Sequence, residues 1–227
     1  MLAAARIFLS GPQLEQLWTY HRLLRKNNED RDLTRIVGFE NIVQKHYVDC
    51  LLAGGFGPLP SPILDIGTGA GFPGIPLKIR YPKVRFILAE HRPRRVAFLE
   101  EVRRSLGLEA LDIFPHQVTS KTFATPVNGV ITRALETIEK TLLRTSACAG
   151  IGTTFHFLKG PAVDEELASA LKRFKGRFEV QADHHYFLPG TNHERRFVVL
   201  KKLVPATAPA KEVMREEDLA EGGDQNI

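Results

Sequence analysis

Asp65 stands within the otherwise apolar run Ile63-Leu64-Asp65-Ile66, and Gly67, Gly69, Gly71 and Gly74 follow it, with Phe72-Pro73 before the last glycine. Alternate glycines after such a run open φ values closed to other residues and let a ligand lie against bare main chain. Pro73 suits the first turn of a helix, where a missing N–H costs nothing. This is the pattern of a nucleotide-type cofactor site. It is not the dinucleotide fingerprint, because G-x-G-x-x-G counted from Gly67 needs a third glycine where Phe72 stands. A tight structural turn without a ligand is the plain alternative.

In an open α/β sheet a ligand lies beyond the carboxyl ends of the strands, so the residues that end each apolar run are the next candidates. Glu90 follows the second run at the distance where an acid accepts from both ribose hydroxyls of an adenosine; its alternative partners are Arg92, Arg94 and Arg95. Gln117, Val118 and Thr119 follow the third, where an adenine edge would meet a polar side chain or a backbone amide. Thr132-Arg133-Ala134 follows the fourth. A guanidinium there can clamp a carboxylate of the cofactor or a phosphate of the substrate, or it can pair with Glu136 or Glu139. Lys159 follows the fifth run and either neutralises a phosphate or is solvated. His46 and Asp49, three apart on a helix, either face the cleft or serve the structure. His184, His185 and His193 lack the carboxylate or cysteine spacing of a metal site, and no metal is expected.

The elements that must position these residues are legible from periodicity. Helices are expected over 12–26 and 40–52, then a breaker-rich linker over 54–62, then alternating strand and helix: helices over 73–80, 93–106, 135–147 and 164–174, with strands over 63–66, 84–89, 111–114, 127–132 and 153–158. Alternation of this kind specifies a doubly wound, mostly parallel sheet. Two last extended runs, 177–182 and 197–203, have no helix between them and should form an antiparallel hairpin at the sheet's edge. The expected organisation is an N-terminal helical cap and linker over 1–60, a core over 61–204, and a disordered acidic tail over 205–227.

The chain of 227 residues carries a net charge of +5. The stretch 205–227 holds two cations against six acids, which leaves +9 on the remainder and favours a polyanionic partner such as nucleic acid. No apolar run suffices to span a bilayer and no secretory signal is evident, so a cytoplasmic protein is expected. Cys50 and Cys148 are far apart and match no disulfide framework or zinc spacing; both are expected as buried thiols.

The order acid-x-Gly-x-Gly-x-Gly resembles the first motif of S-adenosylmethionine-dependent methyltransferases, and a carboxylate beside the turn suits a ligand with an ammonium and a sulfonium. The continuation is more specific. Leu64-Asp65-Ile66-Gly67-Thr68-Gly69-Ala70-Gly71-Phe72-Pro73-Gly74-Ile75-Pro76-Leu77 resembles the first motif of the RsmG (GidB) family of bacterial 16S rRNA guanine-N7 methyltransferases. Lys45-His46-Tyr47-Val48-Asp49-Cys50, Glu90 with Arg94-Arg95-Val96-Ala97-Phe98-Leu99, Thr132-Arg133-Ala134, Lys159-Gly160 and Glu194-Arg195-Arg196-Phe197-Val198-Val199 extend the likeness over about 33–202. The resemblance implies a Rossmann-like class I S-adenosyl-L-methionine methyltransferase fold. It implies that Gly67, Phe72, Val118, Thr119 and Arg133 line the cofactor pocket, beside Asp65, Gly69, Gly71 and Glu90 as read from the strand ends. Thr119 and His91 depart from the family's usual acidic residue and serine. Arg94, Arg95, Lys159 and Arg195 are expected to contact RNA.

The acceptor implied is a guanine N7 of 16S rRNA or the small ribosomal subunit, with the chain acting as a monomer. N7 has a lone pair and no proton, so in-line attack on the sulfonium methyl needs no general base, and Arg133 must leave N7 open. The substrate is expected to be a loop or opened segment, its phosphates gripped by the cap and by cations over 92–104, with steep salt dependence. Three rivals stand beside this reading: a methyltransferase with another acceptor, an NAD-dependent oxidoreductase, and an RNA-binding module with a dead pocket.

Overall fold

The computed structural model describes residues 1–206. The expected acidic tail therefore lies, apart from its first two residues, outside the described residues. Five parallel strands, β1 (Ile63–Ile66), β2 (Phe86–Ala89), β3 (Leu111–Phe114), β4 (Val127–Arg133) and β5 (Ala149–Lys159), are joined by β6 (Phe178–Phe187) and β7 (Glu194–Lys202). Their order is β3-β2-β1-β4-β5-β7-β6, and β7 runs antiparallel to both of its neighbours. The strand order reverses between β1 and β4, which makes the ends of those two strands the crevice of the sheet. All four residues of β1 and of β2 are buried, as expected for strands covered on both faces.

The helices are α1 (Gly11–Arg31), α2 (Phe39–Ile42), a π-helical turn (Val43–Val48), α3 (Asp49–Ala53), α4 (Gly74–Arg80), α5 (Pro93–Leu106), α6 (Ile138–Arg144) and α7 (Asp164–Arg173). One core lies between the sheet, α4, α5 and the N-terminal helices, with Tyr20, Leu24, Phe98 and Leu99 at its centre. The other packs Ile138, Leu142 and Leu167 of α6 and α7 against Phe155 and Phe157 of β5. Cys50 and Cys148 fall in different cores and are free, buried thiols. No helix among the described residues is long and apolar enough to cross a membrane.

α1 begins with a capping box in which Ser10 and Gln13 exchange side-chain and backbone hydrogen bonds. Gln13 then donates from Nε2 to the carbonyls of Ile79 and Arg80, at 2.8 and 3.1 Å, and Gln16 donates to Leu106 O at 2.9 Å. These are carbonyls at the ends of α4 and α5 that those helices leave unsatisfied, so α1 is clamped across both.

Several boundaries differ from the periodicity. α1 runs on to Arg31, and the expected 40–52 helix contains the π-helical turn. The expected 135–147 helix contracts to 138–144 because Ala134 takes φ +50° and Thr137 caps α6 through a bond to Lys140 N. β5 begins before position 153, and β6 continues to Phe187.

Candidate functional site

Asp65 is fully buried at the centre of the sheet's carboxyl edge. Its Oδ2 accepts from the Thr68 hydroxyl at 2.6 Å and from Gly74 N, the first helical amide of α4, at 2.8 Å. Its Oδ1 has no partner. Burial pushes the carboxyl up to about 7, against the two hydrogen bonds, which pull it down. A buried carboxylate oxygen left without a donor fits a cationic ligand head.

The three glycines of the turn do different work. Gly69 has φ +61°, and a Cβ on it would meet nothing closer than Arg95 Nη1 at 3.8 Å, so its open side is free for a ligand. Gly71 has φ +104°, and a Cβ there would come within 2.5 Å of Ile75 Cγ1 and 3.2 Å of the Tyr20 hydroxyl. Gly71 therefore faces the core, and its role is to let the turn pack. Leu135 lies against Gly67 and covers the place a Cβ would take. Tyr20 closes the arrangement by donating to Ala70 O at 2.6 Å.

Glu90, after β2, is 5% exposed, and its Oε1 accepts from Arg92 N at 2.9 Å at the start of α5. The guanidinium groups of Arg92, Arg94 and Arg95 go elsewhere. Arg94 and Arg95 donate to the carbonyls of Asp30 and Asp32, Arg95 twice at 3.0 and 2.6 Å, and both Arg92 and Arg95 lie by the Asp32 carboxylate. They hold the carboxyl end of α1, where cations suit the helix dipole. Val118 is buried in the second core, and Thr119 spends its amide and hydroxyl within the 119–122 turn, on Thr122 Oγ1 at 2.9 and 3.0 Å.

Arg133 sits at the end of β4 and does not pair with Glu136 or Glu139. Glu136 holds Arg144, and Glu139 holds Arg173. Arg133 instead donates to Lys45 O at 3.0 Å, Asp49 Oδ2 at 3.4 Å and His46 Nδ1 at 2.7 Å, and its guanidinium lies 5.2 Å from the Phe72 ring centroid. Because the arginine can only donate, His46 Nδ1 accepts, and its Nε2–H donates to Thr34 Oγ1 at 2.9 Å. Burial first, and the Arg133 charge second, push the imidazole down to about 2, so His46 is neutral at any working pH.

Phe72 stacks on His46 at 4.2 Å and packs against Tyr20 and Tyr47. Its ring is thus a bearing for the helical cap, where a cofactor-lining residue was expected. Asp49 Oδ1 accepts from the Tyr186 hydroxyl at 3.1 Å, and Arg195 Nε lies 3.6 Å from Oδ2. One buried carboxylate thereby ties the cap, β4 and the β6–β7 hairpin together. The π-helical turn widens the helix where His46 and Asp49 both reach Arg133.

Lys159 donates to Glu136 O and to Glu166, each at 2.7 Å, and is neither solvated nor open to a phosphate in this arrangement. His184 stacks on Phe56, and among the described residues no group of three ligating side chains could hold a metal. Sequence reasoning passed over Thr68, Tyr20, Tyr186 and Leu135. Thr68 had a signal, a hydroxyl three residues after the acid; the other three act across chain separations that no local pattern encodes.

The rRNA small subunit methyltransferase G (GidB) family matches residues 13–198. A Ribosomal RNA small subunit methyltransferase G 2 of Syntrophobacter fumaroxidans is 45% identical over 212 residues, covering 93% of this chain and 42% of that protein. One of Bdellovibrio bacteriovorus is 39% identical over 213 residues, covering 92% of this chain and 83% of its own length. The chain thus spans less than half of the first relative and most of the second. Among solved structures, cofactor-bound Rv0187 from MTB superposes with a TM-score of 0.58 at 17% identity, over 84% of this chain and 90% of that one. At that identity the likeness concerns the fold alone.

Proposed function

The chain belongs to the GidB family of rRNA small subunit methyltransferase G proteins, and from that premise we propose that it methylates a guanine N7 of 16S rRNA with S-adenosyl-L-methionine, in the cytoplasm. The observation that carries this reading is the crevice where the strand order reverses. There a fully buried Asp65 keeps Oδ1 unpartnered beside a turn whose Gly69 presents bare backbone, and Glu90 stands one strand away with only Oε1 engaged. These residues fit the donor: Asp65 for its ammonium, Gly69 for close approach of its main body, Glu90 for its ribose hydroxyls. At the adenine end Thr119 has its amide and hydroxyl already engaged by Thr122 Oγ1 within its own turn.

When bound, S-adenosyl-L-methionine supplies an electrophilic methyl group on a sulfonium. Transfer of that methyl to a guanine N7, which bears a lone pair and no proton, would require no general base. The residues nearest the crevice match that demand. His46, held neutral with its acceptor lone pair committed to Arg133, has no free lone pair with which to act as a base. Three of the five N–H groups of Arg133 are committed to the cap, so its role is to fix the cap and not to bind N7. Catalysis then rests on holding donor and acceptor in line, an effect of ~7 to 11 kcal/mol in favourable cases.

The test is incubation of the full chain with methyl-labelled donor and 16S rRNA, naked and within the small subunit, followed by mapping of N7-methylguanosine. Label at one guanine N7 of small-subunit rRNA is the expected result. Donor binding by calorimetry without label in rRNA would mean another acceptor. RNA binding without donor binding would mean a dead pocket.

A further inference from the structure

The cap carries a second cavity that the site above does not use. Leu14, Trp18, His21, Phe39, Val43 and Tyr47 are among the residues that wall a space of about 440 Å³, within the range of small-ligand sites. Trp18 and Phe39 stay 47% and 53% exposed, although Trp18 shares its stripe of α1 with the buried Leu17, His21 and Leu24. The Trp18 and His21 rings stack at 5.4 Å and 14°, and Phe39 meets both edge-on at 76° and 89°. The result is an apolar corner with a flat aromatic wall.

Its rim is cationic. Arg22 and Arg25 follow Trp18 at four and seven residues on the same stripe of α1, both are exposed, and among the described residues neither is in an ion pair. Arg25 is close enough to His21 to oppose its protonation, after burial has already lowered it. Arg94 and Arg95 of α5, by contrast, bond the carboxyl end of α1. Tyr47 joins the cavity to the end of the glycine turn: it lines the cavity, shares a 3.1 Å hydrogen bond with His21 Nδ1 and packs against Phe72 at 6.0 Å.

A planar apolar ligand flanked by negative charge is the description of an unpaired nucleotide in a single strand. We propose that this cavity takes one unpaired nucleobase of the RNA substrate, stacked on Trp18, with the adjoining phosphates on Arg22 and Arg25. The inference rests on the RNA reading given above and adds a second anchoring point to it.

Trp18 is the only tryptophan in the chain, so its fluorescence reports this cavity alone. The full chain is titrated with single-stranded hexa-adenylate and with a duplex RNA of equal length. Saturable quenching by the single strand, and little by the duplex, is expected. Trp18→Leu should weaken binding of a 16S rRNA fragment about 5- to 150-fold, the range for loss of one base–aromatic stack, with donor binding and melting temperature unchanged; Trp18→Phe should restore part of it. Removing Arg22 and Arg25 together should flatten the salt slope by about 1.4.

Absence of quenching at hexa-adenylate concentrations that inhibit methyl transfer, or an unaltered KM for rRNA in Trp18→Leu, overturns the proposal and leaves the methyltransferase reading intact. Quenching that follows protein concentration alone, with a dimer in sedimentation, assigns the cavity to a second copy and also overturns it. Quenching with the expected Trp18→Leu loss, but no methyl transfer to rRNA, upholds the cavity and removes the acceptor reading instead.

Discussion

Asp65→Asn removes one negative charge from the middle of the sheet, and the structure fixes both the sign and the size of the effect. The carboxyl is raised by burial from 3.8 to about 7, so the folded chain holds its proton more tightly than the unfolded chain does. The stability this confers is complete below about pH 4 and is lost as pH rises through about 7. About three pH units at ~1.4 kcal/mol each make the loss about 4 kcal/mol at pH 8. Asparagine keeps one oxygen to accept from Thr68 and Gly74 but places an amide where Oδ1 had no partner, at a cost of about 1 to 3 kcal/mol. The cofactor-free variant should therefore be about 1 to 3 kcal/mol more stable than the parent at pH 8 and should lose that advantage by pH 5. Denaturant unfolding at pH 5, 6.5 and 8 measures this. Parallel stability curves for the two proteins would refute the reasoning, because they would mean that Asp65 ionises as it does in water. The same charge predicts the cofactor's behaviour. An ammonium at Oδ1 favours the ionised carboxylate, so donor affinity should rise with pH up to about 7, with a proton released on binding that makes the apparent binding enthalpy differ between buffers of unequal ionisation enthalpy. Asp65→Asn should abolish both the rise and the release.

Three further outcomes separate the parts of the site. Gly69→Ala should cost only ~1 to 2 kcal/mol in thermal unfolding while weakening donor binding, whereas Gly71→Ala, forced into Ile75 and Tyr20, should compromise the fold itself; equal melting temperatures would contradict that division. Glu90→Gln keeps an acceptor for Arg92 N and removes the charge that ribose hydroxyls would bond, so isothermal calorimetry should show donor affinity about tenfold or more lower with little change in melting temperature. Arg133→Met leaves Asp49 buried with Tyr186 and a more distant Arg195, and leaves His46 Nδ1 without a donor. A loss of about 3 to 5 kcal/mol is expected in chemical denaturation, and a loss below 1 kcal/mol would show that the buried knot does not hold the cap.

The fold was legible in the sequence because its signals are local. Short, largely apolar runs mark β1 and β2, amphipathic stretches mark α5 and α7, and alternation of the two leaves few topologies besides a doubly wound sheet. Asp65, the glycine turn and Glu90 were legible for the same reason, since each lies at or directly after the end of a strand. Leu14 and Trp18 were not: they share the stripe of Leu17 and Leu24 yet remain outside the core, and only the packing of Phe39 and Val43 beside them turns that stripe into a cavity.

By itself the sequence determined the strand–turn–helix at Asp65, the alternation that builds the crevice, and the family's first motif, all of which depend on residues within a few positions of one another. Tertiary structure alone decided which charges are free and which are spent. Arg94, Arg95, Arg133 and Lys159 are equally cationic in the sequence, and each finds its acceptor on an element tens of residues away. A guanidinium's availability depends on which carbonyls and carboxylates arrive beside it, and those arrive only when the chain closes on itself.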